Sequence, residues 1–99
     1  MEGKVKFDFK SKMWTGETAG SWYFMSLPSE ISKEIRANFQ WQEEGWGRMK
    51  VVAKIKDLEW KTSIWFDSKL DIYVLPIKAE IRKRAEIKLN EVLDVCVWI

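Results

Sequence analysis

The chain contains no histidine. Without it, the Ser-His and Cys-His nucleophile pairs of common hydrolases cannot be assembled. A single cysteine, Cys96, allows no internal disulfide, so nothing indicates a stapled, secreted scaffold. With neither histidine nor a second cysteine, a zinc site has no ligands of the usual kind. Proline occurs twice and glycine five times. No Gly-x-Gly-x-x-Gly or Gly-x-x-x-x-Gly-Lys run offers a phosphate cradle. Long apolar runs are missing too. The longest, Val95 to Ile99, falls far short of the roughly 20 residues of a membrane-spanning helix. Nor does one sign of charge dominate: 17 basic and 15 acidic residues leave a net charge of +2, which dictates no partner.

What is present is apolar and aromatic. Hydrophobic residues make up 46% of the 99 residues, and seven are Trp. That supplies one core and leaves no room for a second, so a single globular domain over residues 1–99 is expected. The first residues, Met1-Glu2-Gly3-Lys4, hold no apolar signal-peptide segment, and a cytoplasmic setting is expected.

Period-two alternation runs through much of the chain. Val5, Phe7, Phe9 and Met13 alternate with Lys4, Lys6, Asp8, Lys10 and Lys12. Met49, Val51, Ala53 and Ile55 alternate with Arg48, Lys50, Lys54 and Lys56. Leu58, Trp60, Thr62, Ile64 and Phe66 then return after a reversal at Asp57-Leu58, which predicts a hairpin. Thr15 to Gly20 reads as a connection, and Asp67 to Asp71 as a longer polar turn. Trp22 to Leu27 is apolar on both faces, which predicts a strand covered on both sides. After Pro28, Ser29 is a plausible N-cap, and Ile31, Ile35 and Phe39 form the stripe of a short helix. The last third, Asp71 to Ile99, reads as strand, Leu75-Pro76 corner, short basic helix, turn at Asn90-Glu91 and closing strand. Leu93, Val95, Val97 and Ile99 form that strand's inner face. Strand, Leu-Pro and helix thus occur twice, at Leu27-Pro28 and at Leu75-Pro76, which suggests a barrel of two related halves.

These residues carry a resemblance. Trp22 through Leu27-Pro28, Gly45-Trp46-Gly47 opening a strand, Trp60-Lys61-Thr62-Ser63, and Tyr73-Val74-Leu75-Pro76 with Arg82 resemble the small domain-of-unknown-function family "nineteen-oh-five". That domain also occurs beside the YdeI/OmpD-associated domain. The resemblance covers roughly Val5 to Ile99 and implies a mainly β fold, a double-split β-barrel like the AbrB/MazE swapped-hairpin barrels. The last third is separately similar to the AbrB pattern through Leu75-Pro76, Ile81-Arg82 and Ile87, with Asn90-Glu91 where Gly-Asp is usual. AbrB-type proteins bind DNA as intertwined dimers, whereas this chain carries two halves itself. The family brings no established activity.

No catalytic residue is expected. Mid-strand Cys96 reads as an inert, partly buried thiol. Glu43-Glu44, Asp67 and Asp71 read as solvated loop charges. Gly45-Trp46-Gly47 reads as a turn entering the strand at Arg48. The basic faces are the main candidate site. Arg48, Lys50, Lys54 and Lys56 on one strand, Arg82 on the second helix, and Trp46 and Trp65 nearby would make a ligand or nucleic-acid patch. The same lysines can instead serve solubility and guard strand edges. By strand phase, Trp22 and Trp60 are expected to be buried. The expected function is a non-enzymatic binding or accessory module, monomer or homodimer, with no cofactor, no metal and no membrane. Its partner is unknown, and nucleic acid is the alternative. A pocket holding one carboxylate of raised pKa would instead signal an enzyme.

Overall fold

The computed structural model describes residues 5–16 and 22–99, with the side chain of Trp46 outside the description. The expected connection beyond Gly16, and Lys4 of the first basic face, also lie outside it.

Strand β1 (Lys6–Thr15) buries Phe7, Phe9 and Met13 and turns Lys6, Asp8, Lys10 and Lys12 outward, as its alternation requires. Strand β2 (Tyr23–Ser26) is shorter than the expected Trp22–Leu27 and is fully buried only at Met25. Helix α1 (Ser29–Phe39) follows. Strands β3 (Arg48–Ile55) and β4 (Leu58–Asp67) form the predicted hairpin, with Lys56 at φ 56° in the reversal. Strand β5 (Ile72–Pro76), helix α2 (Ala79–Arg84) and strand β6 (Val92–Trp98) complete the chain. Asn90 takes φ 65° in the turn before β6, a conformation Asn tolerates.

The strands close into an antiparallel barrel in the order β1-β2-β5-β4-β3-β6. Met25, Met49, Ala53, Ile55, Ile64, Leu75, Val95 and Val97 fill it and have no exposed surface. Ile35 of α1 and Ile81 of α2 join this core from the two helices. No helix among the described residues is long and apolar enough to cross a membrane.

The two halves are real. Exchanging β1 with β4, β2 with β5 and β3 with β6 maps the strand order onto itself. Where β2 meets β5, the backbone bonds are reciprocal: Leu27 N–H donates to the Tyr73 carbonyl at 3.0 Å, and Ile77 N–H to the Tyr23 carbonyl at 2.8 Å. Tyr23 therefore corresponds to Tyr73, Leu27 to Ile77, and Ser29 to Ala79, the first residues of the two helices. This corrects the alignment of Leu27-Pro28 on Leu75-Pro76 by two residues. Pro76 belongs to the end of β5, opposite Phe24, whereas Pro28 lies beyond β2 and corresponds to Lys78.

Ser29 is not the N-cap of α1. Pro28 flanks the helix, and no side chain caps it. Ser32 takes on a different duty. Among the described residues it is the one buried polar side chain, and its hydroxyl accepts from the Tyr73 N–H at 3.0 Å and donates to the Leu27 carbonyl at 3.4 Å. Its counterpart, Arg82, donates to the corresponding Ile77 carbonyl at 2.8 Å. Ser32→Ala strands the Tyr73 N–H in the core. We expect a loss of about 1–3 kcal/mol in urea unfolding, with the barrel otherwise intact.

Candidate binding groove

The pairing register decides which aromatic residues face outward. Met13, Met25 and Ile64 point into the barrel, so Trp14, Phe24 and Trp65 point out. Trp14 lies opposite Phe24 on β2 as Trp65 lies opposite Val74 on β5. Trp22, just before β2, stacks on Phe24 with centroids 6.1 Å apart and planes within 8°. Its ring also meets Trp65 at 5.5 Å, and Phe24 meets Trp14 at 5.1 Å. The Trp14 indole N–H donates to Ser26 Oγ at 2.9 Å, which fixes that ring. Trp22 is 47% exposed, against the expectation that it is buried. It precedes the strand, and its neighbours are surface rings rather than the core. Trp60 is half-buried against the edge of the core.

Two depressions flank this cluster. One, of about 440 Å³, is lined by Arg48, Lys50, Lys61, Thr62, Ser63 and Trp65 and reaches Pro76 and Lys78. The other, of about 400 Å³, is lined by Trp22, Tyr23, Ile77, Ala79 and Arg82 and reaches the same Pro76 and Lys78. They form one groove, and the Trp22–Trp65 contact joins its two parts. Among the described residues, no carboxylate lines either part. Cations therefore gather here although the chain as a whole is nearly neutral.

Local structure fixes the cations. Gly47 sits at φ 71°, and a Cβ there would come within 3.2 Å of the Phe66 Cβ. Glycine alone suits that turn, which leads into β3 and sets Arg48 in the groove. The guanidinium carbon of Arg82 lies 3.9 Å from the centre of the Tyr23 ring. Lys50 approaches Glu44 at 3.8 Å, but both side chains are well exposed, so this pair contributes little.

Of the residues expected to form a patch, Arg48, Lys50 and Trp65 share the first depression, and Arg82 lines the second. The side chain of Trp46 is outside the description. Lys54 and Lys56 do not belong to the groove. Lys54 stands farther along β3, beside Glu59 on one neighbouring strand and Cys96 on the other. Lys56 Nζ donates to the Ala85 carbonyl at 2.8 Å, just beyond α2. Lys61, Trp22 and Tyr23, which the sequence did not single out as its residues, complete the groove with Lys78, one of the basic residues the sequence places with Arg82 at the second helix. Strand phase alone would have placed Trp22 beside Phe24, on the face opposite Met25.

Away from the groove, Cys96 Sγ donates to Asp8 Oδ1 at 2.8 Å. Burial first, then Asp8, pushes its thiol above the usual value, so the reactive thiolate is disfavoured. Among the described residues, no group of three or more Cys, Asp or Glu side chains converges as a metal site would need. Asp67 Oδ1 accepts from the backbone N–H of Lys69 and Leu70 and shapes its turn. Buried Tyr73 donates its hydroxyl to Glu43 Oε2. Burial, then the Glu43 bond and charge, push its phenol well above the usual value of 10.0. A folded pKa raised in this way leaves stability intact below about pH 10 and erodes it at higher pH. Alkaline unfolding of the wild type is expected to steepen above that pH, and Tyr73→Phe to flatten the dependence.

Fold and groove together define a small closed β-barrel with an aromatic and basic surface cleft. The chain belongs to the family described as Domain of unknown function (DUF1905), whose model matches residues 9–97. No curated protein matches it.

Proposed function

We propose that this protein is a non-enzymatic binding module, acting in the cytoplasm, that holds its ligand in the groove between Trp22, Trp65, Arg48, Lys78 and Arg82. One observation carries the reading: among the described residues, the groove is lined by Arg48, Lys78 and Arg82 and by no carboxylate, around a half-exposed pair of indoles. Such a surface suits a ligand that is both anionic and flat.

A second, narrower reading makes that ligand a single-stranded nucleic acid. It is favoured by the order of the groove, with a cationic depression on each side of the indole pair. A strand presents the matching alternation of phosphate and base. Kinship with the AbrB/MazE barrels is part of this second reading and rests on the Leu75-Pro76 and Ile81-Arg82 pattern.

Fluorescence anisotropy with labelled single- and double-stranded DNA and RNA at about 50 and 200 mM salt tests both readings. Single strands are expected to bind, more weakly at the higher salt. The double variant Arg48→Glu with Lys50→Glu is expected to lose binding, while Lys54→Glu, outside the groove, leaves it nearly unchanged. Trp65→Ala is expected to cost about 1–3 kcal/mol, the value of one stacked base. No binding to any nucleic acid at low salt overturns the second reading. Loss through Lys54→Glu as deep as through the groove variants overturns the groove.

A further inference from the structure

The two-fold relation between the halves also relates Tyr23 to Tyr73, and the two tyrosines meet different surroundings. Over Tyr73 the site is filled by the chain itself. Helix α1 runs eleven residues and continues into a 3-10 turn, Gln40–Gln42, which delivers Glu43 to the Tyr73 hydroxyl. One cation stands by: Arg36 lies 3.6 Å from the centre of the Phe66 ring, and that ring meets Tyr73 edge-on at 5.2 Å. The molecule thus shows a carboxylate seated on a tyrosine hydroxyl beside a guanidinium.

Over Tyr23 the site is open. Helix α2 has six residues and no extension like that of α1. Tyr23 lines the depression of about 400 Å³, and its hydroxyl has no hydrogen-bond partner among the described residues. Arg82 lies across its ring. Its bond to the Ile77 carbonyl uses Nη1 and leaves further N–H donors of the fork for a ligand. Lys78 lines the same depression at the position that is Pro28 in the other half. The open site therefore carries two cations, whereas the filled site sets a single guanidinium beside one carboxylate.

From this we infer that Tyr23, Arg82 and Lys78 form an oxyanion subsite for a phosphate dianion. Tyr23 donates to a phosphate oxygen as Tyr73 donates to Glu43, and the two cations match the two charges. This rests on the reading of the groove as a ligand surface and names the group that one end of it holds. The source of such a dianion is either the terminal phosphate monoester of a strand lying along the groove or free inorganic phosphate.

The test is a proton–nitrogen NMR titration with inorganic phosphate and, separately, acetate, followed at the Trp22 indole and the backbone amides around Tyr23. Phosphate is expected to shift these signals saturably, and acetate to act far more weakly. Tyr23→Phe keeps the ring under Arg82 and removes only the hydroxyl, while Lys78→Gln removes an exposed charge. Each is expected to weaken phosphate about tenfold, with the rest of the spectrum unchanged. A parallel anisotropy series compares one short single strand with and without a 5′-phosphate. A gain from the phosphate that vanishes in Tyr23→Phe assigns the subsite to strand ends. Equal binding of both strands, with phosphate still saturating, assigns it to a free phosphate. The subsite is overturned by phosphate shifts that are absent, that acetate matches, or that survive both substitutions. In that event, binding of the unphosphorylated strand leaves the groove standing. Conversely, saturation by phosphate with no strand binding removes the nucleic-acid reading and keeps the subsite.

Discussion

The antiparallel pairing of β2 with β5 is the contact on which the rest of the barrel depends. Only Phe24, Met25 and Ser26 face Pro76, Leu75 and Val74, yet this short ladder joins the two halves on one side of the barrel. The β3–β6 pairing joins them on the other side, and the longer β1–β6 and β3–β4 ladders also cross between them. The reciprocal bonds of Leu27 and Ile77 lock its register from both ends. A slip of one residue would turn Met25 outward and drive Phe24 into the core. The same register that buries Met25 and Leu75 also sends Phe24 out beside Trp22 and Trp65. Core and groove are thus two faces of one set of hydrogen bonds.

Near-symmetry makes the differences between the halves informative. The scaffold repeats, down to the bonds from Ser32 and Arg82 to corresponding carbonyls. The coverings do not. A long α1 with its 3-10 extension roofs one tyrosine, and a short α2 leaves the other uncovered. Lys78 stands where the other half has Pro28, and basic residues collect on the uncovered side. One half covers its tyrosine with its own chain, and the other leaves it open.

Most of the fold was legible because its signals are local. Strict alternation located β1, β3, β4 and β6, and the stripe of Ile31, Ile35 and Phe39 located α1. The repeat was visible but misaligned, since two conspicuous Leu-Pro pairs outweighed a quieter match. Tyr23 with Glu30, Ile31 and Lys33 aligns on Tyr73 with Glu80, Ile81 and Lys83 without a gap. Of the groove, Arg48, Lys50, Trp65 and Arg82 could be named from strand phase and charge. Lys54 and Lys56 share the phase of Arg48 and Lys50, so alternation could not exclude them. What separates them is distance along the strand and, for Lys56, a bond to the turn after α2, 30 residues away in sequence. The meeting of Trp22 with Trp65, the place of Lys78 at both depressions and the Glu43–Tyr73 contact depend on which strands become neighbours, and periodicity holds no information on that.

Closure of the sheet has one further consequence. In an open sheet, the outermost strand offers a row of free N–H and C=O groups to which a foreign strand can add. Here β1 is bonded to β6 along Lys6 to Lys12, and Val5 and Ile99 extend that seam with bonds in both directions. The seam between β1 and β6 therefore offers no such row, whereas β1 meets β2 only from Met13 to Thr15 and β4 meets β5 only from Trp65 to Asp67. The closed seam resists strand addition, and a foreign strand would find its opening only where those two short ladders leave the sheet split.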